Sequence, residues 1–231
     1  MANYGMIIDL HKCVGCGGCD LACKTENNTP DGINWASHQI ETHGKFPNTK
    51  YMHRPTLCNH CEDAPCVDAC PTQAMHKDEN GLTVHDPSIC IGCKSCMLAD
   101  PYGVISFNDT MGFIEWATDD STLVKGCTTS KKELAEKTNS PFPFFNVERG
   151  QDGYEAIRAK GTVEKCTFCN HRVKDGMMPH CVVACPADAR VFGDLDDKNS
   201  NVTQLLSIYK PEVLKPEKGT KPKVFYIREY N

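Results

Sequence analysis

Long hydrophobic runs are absent from this sequence of 231 residues. No apolar stretch approaches the ~18–20 residues that a membrane-spanning helix needs. The mean hydropathy of −0.44 and the hydrophobic content of 40% predict a soluble chain with a modest core. The first residues, MANYGMIIDLHKC, lack a basic segment followed by a long apolar one, so we expect no secretory signal there.

An excess of one charge and the usual catalytic motifs are absent as well. The formal net charge is −5 with both signs mixed along the chain, which gives no reason to expect nucleic acid as a partner. No fingerprint for nucleotides, flavin or pterin is present, and no Ser/His/Asp or paired-carboxylate arrangement stands out. We therefore do not expect the chain to carry substrate chemistry of its own.

Cysteine, in contrast, is abundant, with 16 residues. Such a number indicates disulfides, zinc sites or iron–sulfur clusters. Disulfides typically staple small secreted domains, whereas these cysteines lie two or three residues apart in tight runs. That spacing suits chelation better than the bridging of distant loops.

Four runs share the form C-x2-C-x(n)-C-x3-C, with one exception at the last position. They contain, in order, Cys13, Cys16, Cys19 and Cys23; Cys58, Cys61, Cys66 and Cys70; Cys90, Cys93, Cys96 and Asp100; and Cys166, Cys169, Cys181 and Cys185. Asp100 stands in CIGCKSCMLADP where the last cysteine would be. Three runs end directly before proline, which closes a short helix because it cannot continue the hydrogen-bond ladder.

This spacing is typical of iron–sulfur clusters. A C-x2-C-x2-C loop wraps three thiolates around one four-iron cluster, and the cysteine after the next three residues ligates the other cluster of a pair. Zinc ribbons need only two C-x2-C pairs. Cys127 lies in no run, so 15 cysteines remain, and Asp100 raises the number of ligands to 16, four for each of four clusters. The count is complete only if Asp100 occupies a ligand position.

Segments around the runs predict short strands. YGMIIDL precedes the first run, QAMHK and LTVHD flank the turn DENG as a hairpin, GVISF follows the third run and ARVFGDL the fourth. The repetition of ligand loop, short helix and strand is like that of a bacterial ferredoxin. Residues 24–57 and 109–165 lie outside this repeat, and KKELAEK in the second stretch predicts one or two helical turns.

The longer stretch leaves two interpretations open. It is either a surface elaboration on the core or a docking arm for a larger subunit, with Phe142, Phe144 and Phe145 as apolar anchors. The tail, residues 196–231, is expected to wrap the surface and to add an edge strand.

The four runs, in this order, resemble the four-cluster iron–sulfur (beta) subunits of the dimethyl sulfoxide reductase family of molybdopterin oxidoreductases. The resemblance covers nearly the whole chain and includes CVGCGGC, TLCNHCEDAPCVDACPTQAM, DPYGV and KCTFCNHR. The segment CVGCGGCDLACKTENNTPDGINW looks most like the small subunits of respiratory arsenate reductases. Polysulfide reductase and aromatic-ring dehydroxylase or transhydroxylase partners are close relatives.

An α+β fold of two interleaved bacterial-ferredoxin-like halves with long loop insertions is implied by this resemblance. Residues 1–30 with 160–195 would form the first half and 50–108 the second. Residues 109–159 would be the insertion or docking arm and 196–231 the tail.

The resemblance also implies that ligands are exchanged between the runs, which gives four sites. Site 1 would take Cys13, Cys16, Cys19 and Cys185; site 2 would take Cys58, Cys61, Cys66 and Asp100; site 3 would take Cys70, Cys90, Cys93 and Cys96; and site 4 would take Cys23, Cys166, Cys169 and Cys181. Sites 1, 3 and 4 would hold [4Fe-4S] clusters. Site 2 would hold either a [4Fe-4S] cluster with Asp100 as a ligand or a [3Fe-4S] cluster.

Asp100 leaves three alternatives at site 2. It is a ligand of a four-iron cluster, a non-ligand beside a three-iron cluster, or a surface residue left after loss of the whole site. The third is disfavoured because Cys58, Cys61 and Cys66 all remain. We favour ligation with easy loss of the fourth iron in air, because a carboxylate is a harder ligand than a thiolate.

By the resemblance, the chain is a non-catalytic subunit that relays electrons to or from a large molybdopterin catalytic subunit. The substrate class would be arsenate, polysulfide, sulfoxide or an aromatic hydroxyl compound, and a membrane anchor or a quinone or cytochrome donor is a further candidate partner. A free polyferredoxin, a zinc-binding assembly scaffold and a self-sufficient enzyme with an iron site at Asp100 are the alternatives. We expect an extracytoplasmic location by co-export with the large subunit, with the cytoplasm as the alternative.

Three further residues are not expected to be metal ligands. His60 and His180 adjoin ligand cysteines, but every ligand position is already filled, so we expect supporting or surface roles for them. Cys127 has no C-x2-C partner and is expected to be an unreactive small residue.

Overall fold

The computed structural model describes residues 2–110, 131–139 and 159–228. Within these ranges the chain is a mixed α+β protein, as the sequence predicts, with short elements and small sheets. The strands are β1 (Tyr4–Asp9), β2 (Ala36–Lys45), β3 (Asn48–Leu57), β4 (Met75–Lys77), β5 (Thr83–His85), β6 (Ser106–Asn108), β7 (Thr162–Glu164), β8 (Arg190–Asp194) and β9 (Val224–Ile227). The helices are α1 (Gly18–Asn27), α2 (Pro65–Asp68), α3 (Ser95–Ala99), α4 (Lys131–Thr138), α5 (Asn170–Lys174), α6 (His180–Val183) and α7 (Asn201–Ile208). Cys127 and the three phenylalanines of the predicted docking arm lie outside the described residues.

Strand β1 is the centre of a three-stranded sheet with the order β8-β1-β9. It pairs antiparallel with β8 and parallel with β9. Met6, Ile7 and Ile8 are fully buried because both faces of the sheet are covered. Ile7 packs with Val202 of α7 on one face, whereas Met6 and Ile8 belong to the cysteine-rich core on the other, since successive side chains of a strand point to opposite faces.

Most of the predicted elements are confirmed. YGMIIDL contains β1, ARVFGDL contains β8, and QAMHK and LTVHD form the antiparallel hairpin β4–β5. Asp78 closes that hairpin, since its Oδ1 accepts hydrogen bonds from the backbone amides of Asn80 and Leu82 at 2.9 and 2.8 Å. KKELAEK forms α4, GVISF leads into β6, and the tail supplies β9 at an edge of the sheet.

One element, the long hairpin β2–β3, was not predicted from the sequence. Its strands pair from Ala36↔Leu57 at the base to Lys45↔Asn48 at the turn, but most of its side chains are exposed. A hairpin without a buried face shows no alternation of apolar and polar residues that would mark its strands in the sequence. Tyr226 of β9 ties its base to the core by donating a hydrogen bond to the carbonyl oxygen of Pro55 at 2.8 Å.

The two ends of the 109–159 segment are held together by β6 and β7, which pair antiparallel. Asn108 is fully buried, and its Nδ2 donates to Ala159 O and to Glu164 Oε1, both at 3.1 Å. Trp35 Nε1 donates to the other carboxylate oxygen of Glu164 at 3.2 Å. A buried carboxylate needs such partners, so this network fixes where the segment leaves the core and where it returns.

The third residue of each C-x2-C segment has a left-handed backbone. Its φ is +66° at Gly15, +44° at His60, +67° at Gly92 and +54° at Phe168. Glycine adopts this region readily, whereas another residue loses about 1–2 kcal/mol. His60 and Phe168 stack with their ring centroids 3.9 Å apart, and this contact offsets part of that cost. The chain therefore turns the same way in all four runs, with glycine in two of them and a stacked ring pair in the others.

Gly92→Ala tests how closely this turn approaches its neighbour. The added Cβ would overlap with the backbone oxygen of Gly161, so the backbone must shift. Gly103→Ala is the matched control, since Gly103 has a φ of +68° and nothing lies within 4 Å of the added methyl group. We expect the control to lose about 1 kcal/mol of unfolding free energy and Gly92→Ala to lose about 1–3 kcal/mol more. Equal thermal midpoints for the two variants would contradict this expectation.

Candidate metal centres

None of the fifteen cysteines that the structure describes forms a disulfide. Among them only Cys16 and Cys93 are exposed. Each lies next to an exposed apolar side chain, Val14 in one case and Ile91 in the other, both 67% exposed. The first and third runs therefore reach the surface, whereas all the thiols of the second and fourth runs are buried or partly buried.

Sites 1 and 3 are lined by thiols from two separate runs. Cys13, Cys16, Cys19 and Cys185 line one cavity. Cys70, Cys90, Cys93 and Cys96 line another. The convergence follows from helix packing, since α1 packs against α6 and α2 packs against α3. The structure thus brings together the two sets of residues that the resemblance implies at these sites.

Site 4 is buried and includes a cysteine from the first run. Burial raises the pKa of the Cys23 thiol well above its ordinary value, and the nearby thiols of Cys166, Cys169 and Cys181 raise it further. The four sulfur atoms therefore lie within electrostatic range of one another. Asn27 Nδ2 lies 3.5 Å from Cys23 Sγ as a hydrogen-bond donor, and such donors to sulfur tune the potential of a bound cluster.

Site 2 combines three thiols with the carboxylate of Asp100. Burial raises the pKa of Cys66 to about 12, and the nearby Cys58, Asp100 and Cys61 contribute to this shift. Asp100 is therefore close enough to the thiols to act on their charge. It lies directly after α3, at the position that a cysteine occupies in the other runs.

The hydrogen bonds of Asp100 resemble those of the corresponding cysteines. Its Oδ1 accepts from the amide of Tyr102 at 3.1 Å and its Oδ2 accepts from the amide of Val104 at 2.7 Å. Cys185 Sγ accepts from the amide of Ala189 at 3.3 Å, also four residues onward. The loop after α3 thus offers its amides to an anionic group at position 100, whether that group carries oxygen or sulfur.

These donor sets fit thiolate-bound metal clusters. Thiolates crowded in a low-dielectric interior destabilise one another, which is why burial and neighbouring sulfur raise their pKa values. A bound metal core supplies the positive charge that stabilises them. Thiolates are soft ligands that suit both iron–sulfur clusters and zinc, so the donor type by itself does not choose between these metals.

Two cations beside the sites were not predicted from the sequence. Arg190 of β8 is buried; its Nη2 donates to Cys19 Sγ at 3.3 Å and its Nη1 lies 3.9 Å from Cys181 Sγ. It therefore joins site 1 to site 4. His38 Nδ1 lies 2.5 Å from Asp20 Oδ2, and hydrogen bonds with Asp20 first, then with sulfur of site 1, raise the pKa of His38 to about 11.

The two histidines singled out in the sequence have different surroundings. His60 is fully buried rather than on the surface. Burial first, and then the charges of Lys165, Lys77 and Lys223, lower its pKa well below the ordinary value, so its ring is neutral at physiological pH. His180, in α6, has its Nδ1 3.2 Å from Glu26 Oε2.

Glu26 of α1 is the centre of a buried ionic network. Its side chain is fully buried, with His171 Nε2 at 2.8 Å and Arg172 Nη1 at 3.3 Å in addition to His180. Burial favours its neutral form, but the hydrogen bonds from the two histidines and the charge of Arg172 outweigh it and hold the pKa of Glu26 well below its usual range. The network connects α1 to α5 and α6, and therefore holds Cys23 beside the thiols of the fourth run.

Comparison with known proteins identifies the metal chemistry. The 4Fe-4S dicluster domain family matches residues 49–136 and 150–195. The chain is 59% identical over 229 residues to the arsenate respiratory reductase iron-sulfur subunit ArrB of Shewanella sp. strain ANA-3, which covers 99% of this chain and 97% of that protein. The chain belongs to the iron–sulfur subunits of the dimethyl sulfoxide reductase family. Other members include a tetrathionate reductase subunit of Salmonella typhimurium, 33% identical over 97% of this chain and 72% of that protein, and a Halobacterium salinarum protein provisionally named as an iron-sulfur subunit of dimethyl sulfoxide reductase, 39% identical over 98% of this chain and 79% of that protein.

Because the chain belongs to this family of subunits, the predicted iron–sulfur chemistry and the role in electron transport within an oxidoreductase are confirmed. A respiratory reductase among the relatives also fits anaerobic respiration. Within the described ranges, no helix has the length and apolar character that crossing a membrane requires.

Glu26→Gln tests the ionic network. Removing one charge from a buried cluster leaves its partners unpaired, so we expect a loss of about 3–5 kcal/mol of unfolding free energy. Glu133→Gln is the control, because Glu133 forms an exposed pair with Lys137 one turn away on α4, worth about 0.5 kcal/mol or less.

The pH dependence of unfolding gives a second measurement on the same variant. Because folding lowers the pKa of Glu26 from 4.5, its contribution is complete above that pH and fades as the pH falls toward the lowered value. Wild type should therefore lose stability on acidification below about pH 4.5, and Glu26→Gln should lack this component. If the unfolding free energies of the two proteins fell equally on acidification, the pH-dependent contribution assigned to Glu26 would be contradicted.

Proposed function

We propose that this chain relays electrons between a donor and a molybdopterin catalytic subunit through four iron–sulfur clusters, in a complex that acts on arsenate. One observation carries the proposal. Four sets of donors, drawn from different runs, converge in a chain that is 59% identical to the iron-sulfur subunit of an arsenate respiratory reductase. Sites 1, 3 and 4 would each bind a [4Fe-4S] cluster through four cysteines.

The proposed relay follows the spatial order site 1, site 4, site 2, site 3. Arg190 lies between sites 1 and 4. Cys58 of site 2 lies close enough to Cys166 of site 4 to raise its pKa. Helices α2 and α3 pack together, and the ligands exchanged between sites 2 and 3, Cys70 and Asp100, lie just after these helices. Exposed Cys16 and Cys93 mark the two ends of this order, where an electron would enter and leave.

Two interleaved halves are part of the proposal. Residues 1–30 with 160–195 would hold sites 1 and 4, and residues 50–108 would hold sites 2 and 3. The pairing of β1 with β8 and the packing of α1 on α6 support the first unit. The β4–β5 hairpin and the packing of α2 on α3 support the second.

Each group has a separate task in this proposal. The clusters, when bound, supply one-electron chemistry. The chain's own residues set the spacing, exclude water from sites 2 and 4 and donate hydrogen bonds to sulfur, as Asn27 and Arg190 do, and these contacts tune each potential. The substrate chemistry would belong to the catalytic partner.

Anaerobic purification of the native complex tests this function. We expect one large partner subunit to co-purify, and about 16 iron and about 16 sulfide per chain, from four cubane clusters. Zinc should be absent at stoichiometric levels. Iron near 12 or below would contradict four clusters, and recovery of the chain as a fully active monomer would favour a free polyferredoxin.

We propose, further, that Asp100 ligates iron at site 2 under reducing conditions. Its two oxygens already accept backbone hydrogen bonds, which hold the carboxylate in place. Iron bound through oxygen would be more exchangeable than iron bound through thiolate. Air would then remove it and leave a three-iron cluster held by Cys58, Cys61 and Cys66.

Asp100→Cys and Asp100→Asn test this ligand. Oxidised wild type exposed to air should show a three-iron signal in electron paramagnetic resonance, and Asp100→Cys should largely lack it because thiolate retains the fourth iron. Asp100→Asn keeps a hydrogen-bond acceptor but removes the charge, so it should show the three-iron signal even when it is prepared without air. Identical spectra for wild type and both variants would mean that Asp100 does not act on this cluster.

The compartment stays a prediction. We propose an extracytoplasmic complex that is exported folded, since cluster insertion requires reducing conditions. Detection of the mature complex in a cytoplasmic fraction alone would contradict it.

A further inference from the structure

Three lysines lie together in the interior around His60. Lys165 and Lys223 are buried, with exposed fractions of 1% and 9%, and Lys77 is partly buried. Lys77 Nζ donates to Gly81 O at 3.3 Å, and a methyl group added at Gly81 would lie 3.1 Å from Lys223 Nζ. We call Lys77, Lys165 and Lys223 the lysine triad.

The hydrogen bonds of the lysine triad go to neutral acceptors. Lys165 Nζ donates to Thr83 O and to Cys166 O, the latter at 3.0 Å. Lys77 Nζ also donates to Cys61 O. In the part of the chain that the structure describes, none of the triad forms an ion pair with a carboxylate.

Such an arrangement is unfavourable unless an anion lies nearby. Three like charges in a low-dielectric interior repel one another, and each has lost much of its hydration. Carbonyl oxygens satisfy the donors but do not neutralise the charge. The stability of the fold therefore requires negative charge close to the lysine triad.

Site 2 is an anionic centre beside the lysine triad. Lys77 donates to the carbonyl of Cys61 and acts on the charges of Cys58 and Cys61, and Lys165 acts on that of Cys66. Lys165 also precedes Cys166 of site 4 in the chain. A cluster held by three thiolates and a carboxylate carries net negative charge and gains more on reduction, so neighbouring ammonium groups favour the reduced state.

We propose that the lysine triad raises the reduction potential of the cluster at site 2, so that an electron in the relay preferentially occupies this cluster. The inference rests on the proposed function and concerns residues that ligate no metal. The charge of the triad also favours a carboxylate at position 100. The effect should be weakest at site 1, which lies beyond site 4 in the relay order.

The experiment is a redox titration, monitored by electron paramagnetic resonance, of the anaerobic native complex. Its variants are Lys165→Met and Lys77→Met, which keep most of the side-chain volume, Lys165→Arg, which keeps the charge, and Lys50→Met, which removes an exposed lysine from the β2–β3 hairpin. The change in signal caused by Asp100→Cys identifies site 2 in the spectra.

At a fixed applied potential, each Met variant of the triad should lower the reduced-to-oxidised ratio of site 2 about tenfold. At an intermediate dielectric, a unit charge several ångströms from the cluster changes its reduction equilibrium by about that factor. A tenfold change corresponds to about 59 mV for a one-electron couple. The potential of site 1 should not move, Lys165→Arg should match wild type, and Lys50→Met should change nothing.

Unmoved potentials in a complex with its full iron content would overturn this inference and leave the proposed function intact. The same holds for an equal shift at all four sites, or for a shift in Lys50→Met as large as in the triad. If Lys165→Met fails to load site 2, the potential of site 2 in Lys77→Met decides, and no shift in that variant would show that the triad serves folding alone. A native complex without iron would overturn both proposals.

Discussion

Confined negative charge is the constraint on which the rest of this structure depends. Nine of the described cysteines are buried, and thiolates in such an interior raise one another's pKa values. Positive groups lie close to this negative charge: Arg190 between sites 1 and 4, His38 beside site 1 and the lysine triad beside site 2. The interior therefore depends on alternating charge as much as on apolar contact. The buried apolar strand β1 supports only the ligand loops of sites 1 and 4.

The ligand runs could be predicted from the sequence because chelation imposes its spacing within a few residues. Arg190 could not, since it donates to Cys19, which lies 171 positions away in the chain. The same applies to the lysine triad, whose members lie in β4, directly after β7 and directly before β9. Which thiols share a site is likewise a long-range property, and it followed from the resemblance rather than from any one run.

Backbone geometry was predictable in part. Gly15 and Gly92 have positive φ values, which glycine adopts readily. His60 and Phe168 occupy the same left-handed region without being glycine, which no propensity predicts, because the compensating contact is between rings in different runs. The hairpin β2–β3 was missed for the opposite reason: its residues are held by pairing with each other and not by a buried face.

The place of β1 in its sheet has a consequence for the order in which the molecule is completed during synthesis. Both neighbours of this N-terminal strand, β8 and β9, come from residues 190–227. Contacts between such distant parts of a chain form late. The segment 58–100, which contains the donors of sites 2 and 3, leaves the ribosome as one continuous piece, whereas Cys13 and Cys23 must wait for more than a hundred further residues before they meet their partners. Under the proposed ligand sets, the donors of sites 2 and 3 can therefore come together first, and those of sites 1 and 4 come together only after the end of the chain has been made.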